Sequence, residues 1–326
     1  MTPAPAPAPE PGPAPEPGPA PAAEAAFRHA ARGALWYGLT PPRETTDAER
    51  ADEIARVSLD RLAPVRPDAL ILYDVDGETG RSPAERPFPF VPMMDPAAFR
   101  RRHLDVGATP AVIYRCVGKY AGPDLARWLA GADPADTLTV LVGPSSRDQP
   151  VATRLTDAHR LHAGVNPRLP LGGVVIAERH ARRGDEHLRM LAKQEAGCSF
   201  FVSQICYDVD HTRDLLSDYA YSCRERGLAP RPVVLTTSPC GSERTLEFLT
   251  WLGIDVPHWI RNEIRYRDDP LAATYDHCVD AVRALVAFCR SLELPFGINV
   301  ESVTNRKAEI EASVELAVEV RGLLGR

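Results

Sequence analysis

Residues 171–208 read LGGVVIAERHARRGDEHLRMLAKQEAGCSFFVSQICYD. Gly172-Gly173 opens a β-branched run, Val174-Val175-Ile176, which gives way to the polar group Glu178-Arg179-His180. Asp185 then stands where a helix N-cap is wanted. Leu188, Leu191 and Ala192 share one face of the segment that follows, and Gly197 closes it. A second apolar run, Phe200-Phe201-Val202, leads into Gln204 and Tyr207-Asp208. Strand, helix and strand in fewer than forty residues make a βαβ unit, which implies parallel strands joined by a right-handed crossover. Both strands carry polar residues at their C-terminal ends, the end at which parallel α/β folds build their sites.

The same alternation extends outward in both directions. Strands are expected at Ala34–Leu39, Ala69–Tyr73, Ala111–Cys116, Thr137–Val142, Pro232–Leu235 and Phe296–Val300. Between them lie helical stretches at 47–62, 96–104, 123–129, 156–161, 212–226, 242–252 and 271–292, and a closing helix spans 304–324. Eight strands alternating with helices predict a (β/α)8 TIM barrel over residues 26–326. Residues 1–25 alternate Pro and Ala. They have no means to bury a core, and so are expected to form a disordered tail.

The chain has 326 residues, 44% hydrophobic and 25% charged, with a formal net charge of −6. That length suits one barrel. The acidic balance argues against a nucleic-acid or anionic-membrane partner. No apolar run approaches the roughly 20 residues of a membrane span. The seven cysteines are scattered, odd in number and without a CxxC pair. Free thiols in a cytoplasmic protein are therefore expected, with no metal ligand set among them.

Several groups collect at the expected barrel mouth. Asp74, Asp76 and Glu78 follow the second strand, either as a cation-binding cluster or as a solvated turn. Tyr114 and Arg115 end the third strand. Cys240 lies in a hydroxyl-rich loop, where it is a nucleophile or a bystander. In the last strand Asn299 and Glu301 share one side, whereas Gln204 and Cys206 share one side of the sixth, opposite Ser203, Ile205 and Tyr207. Glu301 is flanked by apolar residues. It is read either as a carboxyl of raised pKa able to act as acid or base, or as the ion-pair partner of Arg306 or Lys307.

Glu178 and His180, then Lys193, Glu195, Ala196 and Gly197, then Gln204, Tyr207 and Asp208 form an ordered set. It resembles the methylenetetrahydrofolate reductase family, and the resemblance runs from about Ala34 to the C-terminus. It implies a barrel that binds a reduced folate as a small-molecule substrate and reduces its methylene group with NAD(P)H. Gln204, Tyr207, Asp208 and Asn299 are the folate-binding candidates. The planar amide of Gln204 offers one donor and one acceptor to a pterin, unless it is satisfied within the protein. Tyr114, His180, Glu186 and Lys193 stand at positions that contact flavin in the family.

The pattern also breaks. The family's acidic residue in the first strand is Gly38 here. Its Arg-Gly-Asp flavin motif is Val142-Gly143-Pro144, and Tyr114 replaces a histidine. FAD binding of the usual kind is therefore not expected, and Glu301, Glu178 or Asp74 must supply the missing proton. The competing readings are a folate-dependent one-carbon transferase without redox chemistry and a folate-binding or regulatory barrel without turnover. A homo-oligomer is compatible with either.

Overall fold

The computed structural model describes residues 20–77, 81–144 and 149–325. Eight parallel strands close into a ring in sequence order: β1 (Ala34–Leu39), β2 (Ala69–Leu72), β3 (Ala111–Cys116), β4 (Thr137–Val142), β5 (Leu171–Val175), β6 (Phe200–Ile205), β7 (Val233–Thr237) and β8 (Phe296–Glu301). The seam is the pairing of β1 with β8, in which Trp36 faces Asn299 and Gly38 faces Glu301.

The helices are α1 (Pro21–Ala26), α2 (Ala48–Leu62), α3 (Pro96–Arg102), α4 (Gly122–Gly131), α5 (Leu155–Val165), α6 (Ala177–Arg183), α7 (Glu186–Glu195), α8 (Val209–Glu225), α9 (Glu243–Trp251), α10 (His258–Tyr266), α11 (Pro270–Ser291) and α12 (Lys307–Leu323). Capping explains several starts. Asp47, Asp95, Asp208 and Asp269 each accept a backbone N–H of the first turn with their side-chain carboxylates, which satisfies donors that have no intrahelical partner.

Two helices depart from the expectation. The stretch after β5 is no polar strand end: residues 177–183 form α6, and Gly184 at φ +68° turns the chain into α7. A left-handed residue stops a helix, and glycine adopts that conformation without strain. The second is α10, which is not among the expected helices although Ile260 and Ile264, four residues apart, mark its buried face.

The expected tail boundary also moves. Residues 1–19 lie outside the described residues, but Pro21–Ala26 is helical, with Ala22 and Ala26 fully buried. The carbonyl of Ala26 accepts the indole N–H of Trp36 at 3.0 Å. Phe27 packs on Trp36 and Phe200 at centroid distances of 5.0 and 5.4 Å. Trp36 and Phe200 fill the inside of the ring together with Ile71, Val112, Val140 and Val202. The N-terminal helix thus plugs the end of the barrel opposite the site. Among the described residues, no helix is long and apolar enough to cross a membrane, and all seven cysteines are free.

Candidate active site at the barrel mouth

Side chains alternate along a strand, so the residues two positions beyond the interior cluster also face the axis, at its open end. These are Gly38, Tyr73, Gln204, Thr236 and Glu301, with Asn299 just below. The Tyr73 hydroxyl donates a short hydrogen bond to Oε2 of Glu301. The Asn299 amide donates to the same oxygen at 3.1 Å, and lies 3.1 Å from the Tyr73 oxygen and 3.3 Å from the Thr236 hydroxyl. Asn299 is fully buried, and its Oδ1 has no hydrogen-bond partner among the described residues. Burial pushes the Glu301 carboxyl up to about 6, against the lowering effect of the Tyr73 and Asn299 hydrogen bonds. Tyr73 is held well above the usual phenol range by burial and then by the charge of Glu301, so it stays a donor. Arg306 and Lys307 pair with Glu309 and Glu311 instead. Among the described residues Glu301 therefore has no cation partner, which leaves its proton free to exchange near neutrality.

Tyr114 stacks edge-on against Tyr73 at 4.9 Å. It lines the same floor, its phenol raised by burial.

Gln204 reaches the mouth through a bulge. The pairing of β6 with β7 slips between Val202 and Ile205. The Ser203 hydroxyl fills the gap, accepting the Thr236 N–H at 2.9 Å and donating to the Gln204 carbonyl at 2.6 Å. Bulges re-aim side chains next to sites. Here the bulge ends the expected alternation: Cys206 turns into the outer core rather than following Gln204. The Gln204 amide donates to the Leu252 carbonyl at 2.8 Å, and that carbonyl also accepts from Arg81 at 2.7 Å. One side-chain N–H and the side-chain Oε1 of Gln204 have no partner among the described residues. Arg81 begins a segment that crosses the rim from β2 to α9. The Trp251 indole donates to Ala84, Arg244 donates to Pro87, and the Arg86 guanidinium lies 5.1 Å from the Trp251 ring centroid.

Other expected site residues are placed elsewhere. Tyr207 is buried on the outer side of the barrel, donating to the Ser238 carbonyl at 2.8 Å and stacked on His277. Asp208 is the N-cap of α8, accepting the N–H groups of Asp210 and His211. Neither faces the axis, because the strand has ended and the chain is already turning into α8. Asp74 is consumed by Lys119 at 2.6 Å, the Tyr120 hydroxyl at 2.9 Å and the Cys116 N–H at 2.8 Å. Asp76 accepts from Gln149, and Glu78 lies outside the described residues. Arg115 points outward to Asp95 and over Trp128, beside a cavity of about 280 Å3 between α3 and α4. Burial pushes the Cys240 thiol up to about 12, far from a reactive thiolate.

Glu178 is buried at the start of α6, 3.4 Å from the Asp255 N–H, and burial pushes it up to about 7. It is a second carboxyl of raised pKa at the rim. Tyr73 and Thr236 were not singled out from the sequence. Their positions two residues beyond Ile71 and Val234 were the available signal.

The flavin-contact positions do not fit that cofactor. His180 faces Asp218 of α8. Glu186 is fully buried and held by two bonds of 3.1 Å from Arg179. Lys193 donates to the Val174 carbonyl. Of the four, only Tyr114 faces the mouth.

A solved protein from Clostridium thermocellum, described as uncharacterized and as binding two copies of 5-methyl-5,6,7,8-tetrahydrofolic acid, is 36% identical. The match covers 89% of this chain and 96% of that one, with a TM-score of 0.79. The chain belongs to the family of that folate-binding protein. No family model matches the sequence, and no curated protein matches it. Outside this family, a 2,3-dimethylmalate lyase is 11% identical over 85% of this chain and 79% of its own, with a TM-score of 0.46. An oxaloacetate acetylhydrolase is 11% identical over 86% and 81%, with a TM-score of 0.42. Neither informs the chemistry.

Proposed function

We propose that the protein binds a reduced folate of the 5-methyl type at the barrel mouth and that Glu301 carries the proton for a reaction at its one-carbon unit. The observation behind this is the Glu301–Tyr73–Asn299 cluster beside Gly38. Reductases of the resembling family place an acid on the first strand at the position of Gly38. Here the Glu301 carboxylate reaches that volume from the neighbouring strand, with a pKa raised toward the working range of a general acid. Gln204 offers its free N–H and carbonyl to a pterin edge, and the open Oδ1 of Asn299 is an acceptor for a ligand N–H.

In the reductase form of this reading the substrate is a 5,10-methylene folate. Protonation of N10 accompanies cleavage of the bond from N10 to the methylene carbon. Hydride from NAD(P)H adds to that carbon, which becomes the methyl group on N5. Glu301 gives up the proton and Tyr73 steadies the carboxylate that remains. FAD has no part in it, since His180, Glu186 and Lys193, three of its four contact positions, are committed to other bonds. That commitment favours a second reading, in which a 5-methyl folate is protonated at N5 and its methyl group passes to a nucleophilic acceptor. Both reactions rest on the same bound folate and the same carboxyl.

Calorimetric titration with 5-methyltetrahydrofolate tests the binding, and Gln204→Ala is expected to weaken it. Folate-dependent oxidation of NADH or NADPH by the wild-type chain separates the two reactions. A protein that binds no reduced folate would sink both.

A further inference from the structure

Three helices outside the barrel mouth converge on a group that the folate reading does not use. His180 projects from α6, His187 from the first turn of α7 and Asp218 from the middle of α8. Nε2 of His180 lies 3.2 Å from Oδ2 of Asp218, and Nδ1 of His187 lies 3.9 Å from the same oxygen. One donor atom from each residue falls within 4.8 Å of the other two. The two imidazoles meet edge-on, with centroids 5.3 Å apart and planes at 86°. His180 is 95% buried, at 5% exposure, and the His187 side chain is 15% exposed. Nδ1 of His187 is a buried polar atom without a hydrogen-bond partner among the described residues, because 3.9 Å is too long for one.

We infer that His180, His187 and Asp218 form a binding site for a first-row divalent metal ion of the zinc class. Bonds of about 2.0 to 2.2 Å in tetrahedral array put neighbouring donors about 3.4 Å apart. The two measured separations bracket that value. Two imidazole nitrogens and one carboxylate oxygen suit Zn2+, Co2+, Ni2+ or Cu2+ and disfavour the all-oxygen cations Mg2+ and Ca2+. Asp218, at 54% side-chain exposure, opens the site to solvent, so an ion can enter and a water can take the fourth position. A metal there would pin the elbow at Gly184, where α6 turns into α7, onto α8. It would also give His187 Nδ1 the partner it lacks. No sequence motif announces the site, because its ligands come from three helices.

The test uses the untagged full-length chain, stripped with a chelator and titrated with Co2+ and then Zn2+. The expected result is one equivalent bound per chain, with the ligand-field absorption of four-coordinate Co2+ displaced by Zn2+, and a metal-dependent rise in Tm. His187→Ala and Asp218→Asn, both near the surface, should each weaken binding by more than about a hundredfold, the upper range for losing even a metal's outer-shell partner. His211→Ala should leave it unchanged. X-ray absorption at the zinc edge of the wild-type complex should show two imidazoles, which does not depend on any variant folding. Absence of stoichiometric binding, or affinity unchanged in both variants, overturns the site.

Discussion

Gly38 and Glu301 are partners across the β1–β8 seam. A methyl group placed on Gly38 would lie 2.9 Å from Oε2 of Glu301 and 2.8 Å from Cε2 of Tyr73. The absence of a side chain on one strand is thus what gives the carboxyl of the next strand its seat.

Replacing Gly38 with Ala therefore forces Tyr73 and Glu301 aside. We expect a loss of about 1 to 3 kcal/mol in stability, as for other overpacked positions, together with a fall in turnover. In a Glu301→Ala background the stability penalty should shrink, because one of the two clashing groups is gone. Chemical denaturation of the four proteins of the cycle measures this. Full additivity would show that the two residues do not share the space.

Glu301→Gln keeps the shape and removes the proton. Turnover should fall about a hundredfold to ten-thousandfold while folate affinity stays close to wild type. The wild-type rate, if Glu301 acts as the acid, should decline as pH rises through about 6, and the variant should lose that limb. The sign for stability is opposite to that of a salt-bridged carboxylate. The folded pKa is raised above its ordinary 4.5, so the group's stabilising contribution is complete below that value and is lost as pH rises through about 6. Glu301→Gln should consequently be more stable than wild type at pH 8, by up to about 2 kcal/mol, with the difference vanishing at pH 4. Thermal melts across that range decide it.

Gln204 and Tyr207 are three residues apart and should behave oppositely. Gln204→Ala removes a side chain at the mouth whose one hydrogen bond among the described residues is to the Leu252 carbonyl. We expect about a tenfold loss of 5-methyltetrahydrofolate affinity and little change in Tm. Tyr207→Phe deletes a buried hydrogen bond to the Ser238 carbonyl and should cost about 1 kcal/mol of stability with affinity intact. Calorimetry and melts on both variants would expose a reversal.

Phe27→Ala tests the plug. Phe27 joins α1 to Trp36 and Phe200, and its truncation should cost about 3 kcal/mol with no direct effect on the distant mouth. Unchanged stability would mean that the N-terminal helix is not part of the core.

The sequence alone carried the eight strands, because buried parallel strands are continuous apolar runs that stand out between helices of different period. It also carried the pairing of Asn299 with Glu301 on one face, since strict alternation along β8 is enough to put them there. It did not carry the turn of Cys206 into the outer core. A single bulge at Ser203 breaks the period of two, and hydrogen bonds between β6 and β7 decide where it falls. Nor did it show α6: Glu178-Arg179-His180 reads as the polar end of β5, and only α7, starting after Asp185, is expected from the pattern. The seat of Glu301 over Gly38 depended on the stagger of two strands more than 250 residues apart. Only the closure of the ring sets that stagger, so only the tertiary structure could bring the carboxyl, Tyr73 and the empty position together.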